Sequence, residues 1–140
     1  MKKTEEIDNK LKKEKACGSV IIKNGQVLMV RQGKGFIGFP KGHVEKDETE
    51  IETAIRETKE ETNVTVKIDE TKRYIISYSP KENILKDVVY FIGKVVDDTN
   101  IKPQKGEVKE VIWVDIDRVE DKLSFENIKK MWRKILKDIQ

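Results

Sequence analysis

Residues 42–64 read GHVEKDETEIETAIRETKEETNV, a polar stretch that carries a regular apolar repeat. Its apolar and small side chains recur every three or four positions, as on one face of a helix. They are Ile51, Ala54, Ile55, Thr58 and Thr62. Residues 49–62 are therefore predicted to form a helix with this face seated in a core.

The same helix is predicted to carry a second face made of carboxylates. At about 100° per residue, Glu60 and Glu61 lie within roughly 60° of Glu57, and Glu50 falls in the same stripe. Like charges at these spacings destabilise a helix, and a divalent cation would offset the repulsion. Oxygen-only ligands favour Mg²⁺ or Mn²⁺ over zinc, and Mg²⁺ commonly serves phosphate chemistry. The alternative is a solvated acidic face that neighbouring lysines partly neutralise.

The residues before this helix predict a hairpin and then a glycine-rich loop. Two β-rich runs, residues 17–22 and 27–30, flank Asn24-Gly25, which is a hairpin turn signal. Three glycines follow within residues 33–38, and the loop ends at Pro40-Lys41-Gly42.

The residues after the helix predict strands and a terminal helix. The strands are predicted at residues 64–66, 74–78, 87–96 and 111–114. The terminal helix is predicted from Ser124, a plausible N-cap. Its apolar stripe comprises Ile128, Met131, Trp132, Ile135 and Ile139.

Together these elements predict an α/β fold in which one mixed sheet lies between helices. We expect residues 1–140 to form a single domain, because no repeat or low-complexity linker divides them. Residues 1–14 are predicted to be a charged lead-in, mobile unless Ile7 and Leu11 dock one helical face.

Composition narrows the function classes. The chain has 140 residues, with 29 Lys+Arg against 26 Asp+Glu. Because these charges are interleaved, the net charge of +3 indicates a solvated surface and is not evidence for a nucleic-acid partner, which we do not expect. One cysteine, Cys17, and one histidine, His43, argue against a Cys/His zinc site.

No run approaches the roughly 18 apolar residues of a membrane span, and residues 1–15 lack the apolar core of a signal peptide. We therefore expect a cytoplasmic protein.

The spacing within residues 42–64 resembles the Nudix hydrolase signature, G-x5-E-x7-R-E-U-x-E-E-x-G-U, where U is a bulky apolar residue. The matching positions are Gly42, Glu48, Arg56, Glu57, Glu60, Glu61 and Val64. Thr58 stands where the signature has an apolar residue, and its methyl group can still pack. Asn63 stands where the signature has glycine, and asparagine tolerates the left-handed conformation of a helix C-cap.

The resemblance implies a Nudix-like α/β/α sandwich with a loop-helix-loop metal motif, a mixed central sheet and a C-terminal helix. Nudix hydrolases act on a nucleoside diphosphate linked to another group, by attack of water on phosphorus. By position, the ligands of Mg²⁺, or Mn²⁺ as a substitute, would be Glu57, Glu60, Glu61 and the backbone carbonyl of Lys41. One of the glutamates would act as general base.

Two further signature residues would position these ligands. Arg56 would orient Glu57 through a charge-assisted hydrogen bond. Glu48 would brace Arg56 or bind an outer metal.

Several pieces resemble the diadenosine polyphosphate hydrolases in particular. They are residues 15–18, 39–45 and 52–58, with Arg73-Tyr74, Pro80-Lys81 and the strand at 88–91. Glu107 stands six residues before Trp113, where those enzymes place a further acidic catalytic residue. The resemblance thus implies a substrate like diadenosine tetraphosphate.

Five residues are candidate contacts to such a substrate. Lys41, His43 and Lys81 could contact phosphates, and Tyr78 and Tyr90 could stack on adenine. For Tyr90 the alternative is core packing on a strand.

The sequence leaves other substrates and a non-catalytic function open. The substrate could be a nucleoside triphosphate, a sugar nucleotide, a diphosphoinositol phosphate or an RNA 5′ end. The chain could also be a nucleotide sensor without turnover, although the intact Arg56 and three helix glutamates argue against this. We expect a small nucleotide as partner, no membrane, and a monomer or homodimer.

Overall fold

The structure is a computed structural model that describes residues 11–140, so the prediction for Ile7 lies outside the described residues. The described elements are β1 (Lys12–Lys23), β2 (Gln26–Gln32), β3 (Ile37–Gly38), β4 (Lys41–His43), α1 (Glu50–Thr62), β5 (Thr65–Tyr78), β6 (Ile84–Asp97), β7 (Val108–Asp115), a 3₁₀ turn (Ile116–Arg118), α2 (Val119–Lys122) and α3 (Glu126–Ile139).

The strands form one mixed sheet, as predicted. Over residues 11–140 its central order is β3-β2-β1-β6-β5, with β4 paired to β1 and β7 paired to β2. β1 runs parallel to β6 and antiparallel to β2 and β4. β1 is therefore the strand that holds the two halves of the sheet together.

Helices cover both faces of this sheet. Alternate residues of β1 point to opposite sides, because side chains alternate along a strand. Ala16 and Val20 join the core cluster under α3, whereas Cys17 packs with Ala54 of α1. The result is the predicted α/β/α sandwich. No helix within residues 11–140 has the length and apolar character needed to cross a membrane.

Local signals near α1 and the hairpin are confirmed. Thr49 caps α1 with a reciprocal capping box to Glu52. Asn24 and Gly25 both take positive φ, 51° and 74°, in the turn between β1 and β2. Cys17 is fully buried, and burial raises the pKa of its thiol to about 11. It therefore packs as a small apolar side chain.

Two strands are longer than the apolar pattern indicated. β5 is one strand with a register shift between Ile68 and Arg73, where the pattern predicted two separate strands. β1 begins at Lys12, so the last residues of the predicted lead-in pair with Ile84 and its neighbours in β6. Both extensions are polar segments held by backbone hydrogen bonds, which leave no apolar signal in the sequence.

The prediction that Ser124 caps the terminal helix is wrong. The N-cap is Phe125, and its side chain makes no capping bond. Ser124 instead accepts a hydrogen bond on Oγ from the Ile37 N–H at 2.8 Å and donates its own N–H to the Ile37 carbonyl. Ser124 thus ties the start of α3 to β3.

Candidate active site

A cleft of about 690 Å³ lies along one side of α1. Four predicted acidic residues, Glu57, Glu60, Glu61 and Glu107, line it together. Its volume is within the range of pockets that bind small ligands, about 300–1,000 Å³. The fold therefore gathers helix and loop carboxylates at a single concave surface.

The C-terminal end of α1 positions the Glu107 loop. Asn63 takes the predicted left-handed conformation (φ 60°, ψ 26°) and donates its side-chain amide to the Asn100 carbonyl at 2.7 Å. The Gln104 N–H then bonds the free carbonyl of Glu61 at 3.2 Å, and the Glu107 N–H bonds the Gln104 carbonyl. Helix and loop carboxylates are thus linked through backbone hydrogen bonds.

Arg56 lies at the centre of the charged network. Its Nε and Nη2 donate to the two oxygens of Glu48 at 2.6 and 2.9 Å, and Nη1 donates to Glu57 at 2.6 Å. Nη1 also lies 3.2 Å from both oxygens of Glu60, and Nη2 donates to the His43 carbonyl. The Arg56 hydrogen bonds hold the pKa of Glu48 at about 2. Arg56 thus contacts both Glu48, its predicted brace, and Glu57, the carboxylate it is predicted to orient, and these two roles stay predictions.

The glycine at position 42 makes room for the Glu57 carboxylate. A Cβ atom on Gly42 would overlap both carboxylate oxygens of Glu57. A side chain at position 42 would therefore displace the Glu57 carboxylate from the position in which it bonds Arg56. The first glycine of the signature thus has a direct steric reason in this chain.

Glu61 is the buried member of the carboxylate group. It is 7% exposed and accepts a hydrogen bond from the Lys41 N–H at 3.3 Å. Burial raises the pKa of Glu61 to about 8, although the Lys41 bond acts against this, and the charges of Glu57 and Glu107 raise it further. Burial also lowers the pKa of the Lys41 ammonium, and the nearby charge of Lys86 lowers it further.

The donor chemistry of these side chains fits a hard divalent cation. All of the candidate ligands are oxygens, and a cation beside Glu61 would relieve the penalty on its buried charge. The side chains are not gathered around one point, however: within residues 11–140 no three acidic, imidazole or thiol groups converge as a metal site would need. Glu57 and Glu60 line the cleft while they accept hydrogen bonds from Arg56, so binding a cation would require their carboxylates to move closer to that of Glu61.

Glu50 leaves the predicted carboxylate stripe. It receives two hydrogen bonds from Arg73 of β5, at 2.8 and 2.9 Å, and pairs with Lys15 of β1. These contacts hold the pKa of Glu50 at about 2. Glu50 does not line the cleft, and it links α1 to the sheet.

The predicted substrate contacts divide into two groups. Lys41, His43, Tyr78 and Tyr90 line the cleft, whereas Lys81 lies in the turn between β5 and β6 and does not line it. Tyr90 is fully buried and meets Phe39 edge-on at 5.8 Å, which favours the core-packing alternative. Its hydroxyl has no hydrogen-bond partner among the residues that the structure describes.

Two aromatic residues of the cleft were missed by the sequence analysis. Phe36 and Phe125 are 46% and 45% exposed, and their ring centroids lie 4.9 Å apart. The hydrogen bonds between Ile37 and Ser124 bring them together. The one signal that could have found them is an aromatic residue, Phe36, inside a glycine-rich loop.

Comparison with known proteins gives a consistent family. A family model described as NUDIX domain matches residues 12–134. Nudix hydrolase 4 of Arabidopsis thaliana is 35% identical over 98 residues, which cover 69% of this chain but only 46% of that protein. The chain therefore spans about half the length of that relative.

Other relatives match over most of their length. The asymmetrical bis(5'-nucleosyl)-tetraphosphatase of Rattus norvegicus is 28% identical over 131 residues, covering 82% of this chain and 88% of the rat protein. Among solved structures, a Caenorhabditis elegans Ap4A hydrolase binary complex has a TM-score of 0.78 at 26% identity, covering 90% of this chain and 97% of that one. A MutT protein from Methanosarcina mazei Go1 has the same TM-score at 19% identity, covering 93% and 97%, which supports the fold alone.

Proposed function

Since the chain belongs to the Nudix family, we propose that it is a Mg²⁺-dependent hydrolase of a dinucleoside polyphosphate such as diadenosine tetraphosphate. Water would attack one phosphorus atom of the substrate's polyphosphate. The P–O bond that bridges this phosphorus to the next phosphate would break, releasing two nucleotides. Mn²⁺ would be able to substitute for Mg²⁺.

The observation that carries this proposal is the composition of the cleft. It combines five carboxylates, the four named above and Glu45, with the lysines Lys41 and Lys86 and an aromatic pair within one cavity. A dinucleoside polyphosphate has matching parts, because anionic phosphates are joined to flat apolar bases. Aromatic faces bind bases by stacking, without reading their hydrogen-bond pattern. Phe36 and Phe125, with the half-buried Tyr78, are the surfaces available for a base.

The named activity of two relatives supports the choice of substrate. The rat protein is named a tetraphosphatase of bis(5'-nucleosyl) compounds, and the nematode structure is titled an Ap4A hydrolase. Their identities to this chain are 28% and 26%. The cleft and the names thus point to the same substrate class by separate routes.

The cation would be held by Glu57, Glu60, Glu61 and the Lys41 carbonyl. When bound, such a cation neutralises phosphate charge and makes a water molecule easier to deprotonate. Arg56, held by Glu48, would keep Glu57 oriented toward the cleft.

The remaining chemistry belongs to side chains of the cleft. Lys41 and Lys86 would bind phosphate oxygens as the charge on the leaving oxygen grows. One of Glu57, Glu60 and Glu107 would accept the proton of the attacking water. A new P–O bond then forms as the bridging P–O bond breaks, so no oxidant or second substrate is needed.

A substrate panel tests the proposal. With Mg²⁺ present, diadenosine tetraphosphate should exceed nucleoside triphosphates, sugar nucleotides, diphosphoinositol phosphates and 5′-triphosphate RNA by about tenfold in kcat/KM, roughly 1.4 kcal/mol. EDTA should abolish the reaction. A higher kcat/KM for another compound would change the proposed substrate but leave the family assignment intact. No turnover of any compound would favour a sensor. The cytoplasmic location and the oligomeric state stay predictions from the sequence.

A further inference from the structure

Two buried hydroxyl groups connect the centre of the sheet to α1. Ser19 of β1 and Thr58 of α1 are both fully buried, and their side-chain oxygens lie 2.5 Å apart. Either hydroxyl can donate to the other. An apolar residue at position 58 would pack there without a hydrogen bond, so the chemistry of this contact is a particular feature of this chain.

Ser19 also holds the loop that precedes the helix. Its backbone N–H donates to the Pro40 carbonyl at 3.1 Å. The neighbouring Gly18 pairs with Lys41, and a Cβ atom on Gly18 would overlap the Pro40 carbonyl and the Lys41 side chain. The loop backbone is therefore pressed directly against this part of β1.

Thr58 lies between two candidate carboxylates of α1 in the sequence. Glu57 is its neighbour in sequence, and Glu61 follows one helical turn later. The Thr58 carbonyl accepts a hydrogen bond from the Thr62 hydroxyl at 2.6 Å, and that hydroxyl accepts from the Val64 N–H at 3.2 Å. Hydroxyl contacts thus continue along the buried side of α1 to its end.

A hydrogen bond restricts this interface more than an apolar contact would. It has a narrow optimum in distance and direction, whereas apolar contacts tolerate sliding and rotation. A buried hydroxyl that loses its partner is also destabilising. The Ser19–Thr58 bond therefore favours one register of the helix over β1.

We propose that Ser19 and Thr58 form a positioning pair, which fixes α1 relative to the Pro40–Gly42 loop and so places the carboxylates opposite the Lys41 backbone. The pair touches neither substrate nor cation and acts through the segments on either side. The proposal rests on the proposed function for its kinetic consequence. Its structural consequence, the Lys41–Glu61 hydrogen bond, is independent of turnover.

The test compares variants that differ in one hydroxyl. Thr58→Val removes the hydroxyl at nearly constant volume, and Thr58→Ser keeps it. Ser19→Ala should destabilise the protein least, because the Thr58 hydroxyl left without its partner can donate a hydrogen bond to a backbone carbonyl of its own helix. The double variant Ser19→Ala/Thr58→Val removes both groups and leaves neither orphaned. Tyr74→Phe is the matched control, since it deletes a 2.6 Å bond between β5 and Asp138 of α3.

The readouts are kcat and KM for diadenosine tetraphosphate with Mg²⁺, and amide hydrogen exchange at Ser19 and Lys41. For Thr58→Val and the double variant we expect kcat to fall by about tenfold with KM within twofold, as for a small misplacement of catalytic groups. Exchange at Lys41 should become faster in both. Thr58→Ser and Tyr74→Phe should keep wild-type values.

Three results would decide against the pair or separate it from the proposed function. A folded double variant with wild-type kcat and wild-type exchange would overturn the proposal. If the double variant does not fold, the two single variants decide instead. Ser19→Ala lacks the hydroxyl pair and Thr58→Ser keeps it, so the same kcat and the same exchange rate at Lys41 in both would overturn the proposal. If the wild type turns over no substrate, the proposed function fails, and faster exchange at Lys41 in Thr58→Val still supports the pair.

Discussion

The two long helices that enclose the sheet are held in different ways. α3 buries Ile128, Met131, Trp132 and Ile135 and packs through apolar area. α1 buries Thr53, Ala54, Thr58, Glu61 and Thr62, so four of its five buried side chains are polar. It is fixed by its cap, by hydroxyl contacts and by two ion pairs, one from its Arg56 to Glu48 and one from its Glu50 to Arg73. Apolar packing supplies stability without strict geometry, whereas hydrogen bonds fix direction. The helix that carries the candidate site is thus the one whose position is most closely specified.

The largest expected effect is on turnover when a buried carboxylate of α1 is neutralised. Glu61→Gln should lower kcat by about 10⁴-fold, roughly 5.5 kcal/mol, because it removes a candidate cation ligand. Stability at neutral pH should not fall, because burial raises the pKa of Glu61 to about 8, so its carboxyl is largely protonated there and glutamine resembles that neutral form. Steady-state kinetics and urea unfolding measure the two quantities. Glu110→Gln, on an exposed residue outside the cleft, is the control. A kcat near wild type would refute the ligand assignment.

On α3 we expect a substitution to lower stability and to leave kcat unchanged. Trp132→Ala removes a fully buried ring from the main core cluster, and we expect the free energy of unfolding to fall by about 3–5 kcal/mol. The fraction that stays folded should keep its kcat. Urea unfolding followed by assays in the absence of urea measures both. A loss below about 1 kcal/mol would show that α3 does not supply most of the stability, because such a value is typical of exposed sites.

Acid should lower the free energy of unfolding by protonating Glu48, which pairs with Arg56 of α1. Its pKa is about 2, against an ordinary value of 4.5, because Arg56 donates hydrogen bonds to it. The stabilisation is therefore complete above pH 4.5 and is lost as the pH falls from there toward 2. We expect Glu48→Gln to lower stability by about 2 kcal/mol at pH 7 and to lose less stability than the wild type on acidification. Urea unfolding from pH 7 to pH 3 measures this. Parallel pH curves for the two proteins would contradict it, and Glu110→Gln is again the control.

The smallest effect is expected at the start of α3, where that helix contributes to the cleft. Phe125→Ala should raise KM for diadenosine tetraphosphate by about tenfold, or 1.4 kcal/mol, because an aromatic contact to a base is lost. The kcat should change by less than twofold. Val96→Ala, on a 63% exposed residue, is the control. An unchanged KM would mean that the Phe36–Phe125 pair does not bind the base.

Sequence reasoning located the acidic side of the site because its carboxylates are local. Glu57, Glu60 and Glu61 lie on one helix, so the helical period alone places them together. The ends of that helix were also predictable, since Thr49 and Asn63 are strong local cap signals. The sandwich followed from strands that alternate with two amphipathic helices.

The parts that could not be predicted depend on contacts between distant residues. Glu50 shares the helical stripe, but Arg73 on a separate strand draws it to the sheet. Phe36 and Phe125 meet only because Ser124 bonds Ile37 across the fold. No periodicity within either segment carries that information, and Ser124 therefore resembled an ordinary helix cap.

The most direct test of the central claim is product formation from diadenosine tetraphosphate by the wild type and Glu61→Gln in parallel, each with Mg²⁺ and with EDTA. We predict two nucleotide products from the wild type with Mg²⁺, and background levels in the other three reactions. Product formation that survives EDTA or Glu61→Gln would contradict the assignment of the carboxylates on α1, and so would the absence of product from the wild type.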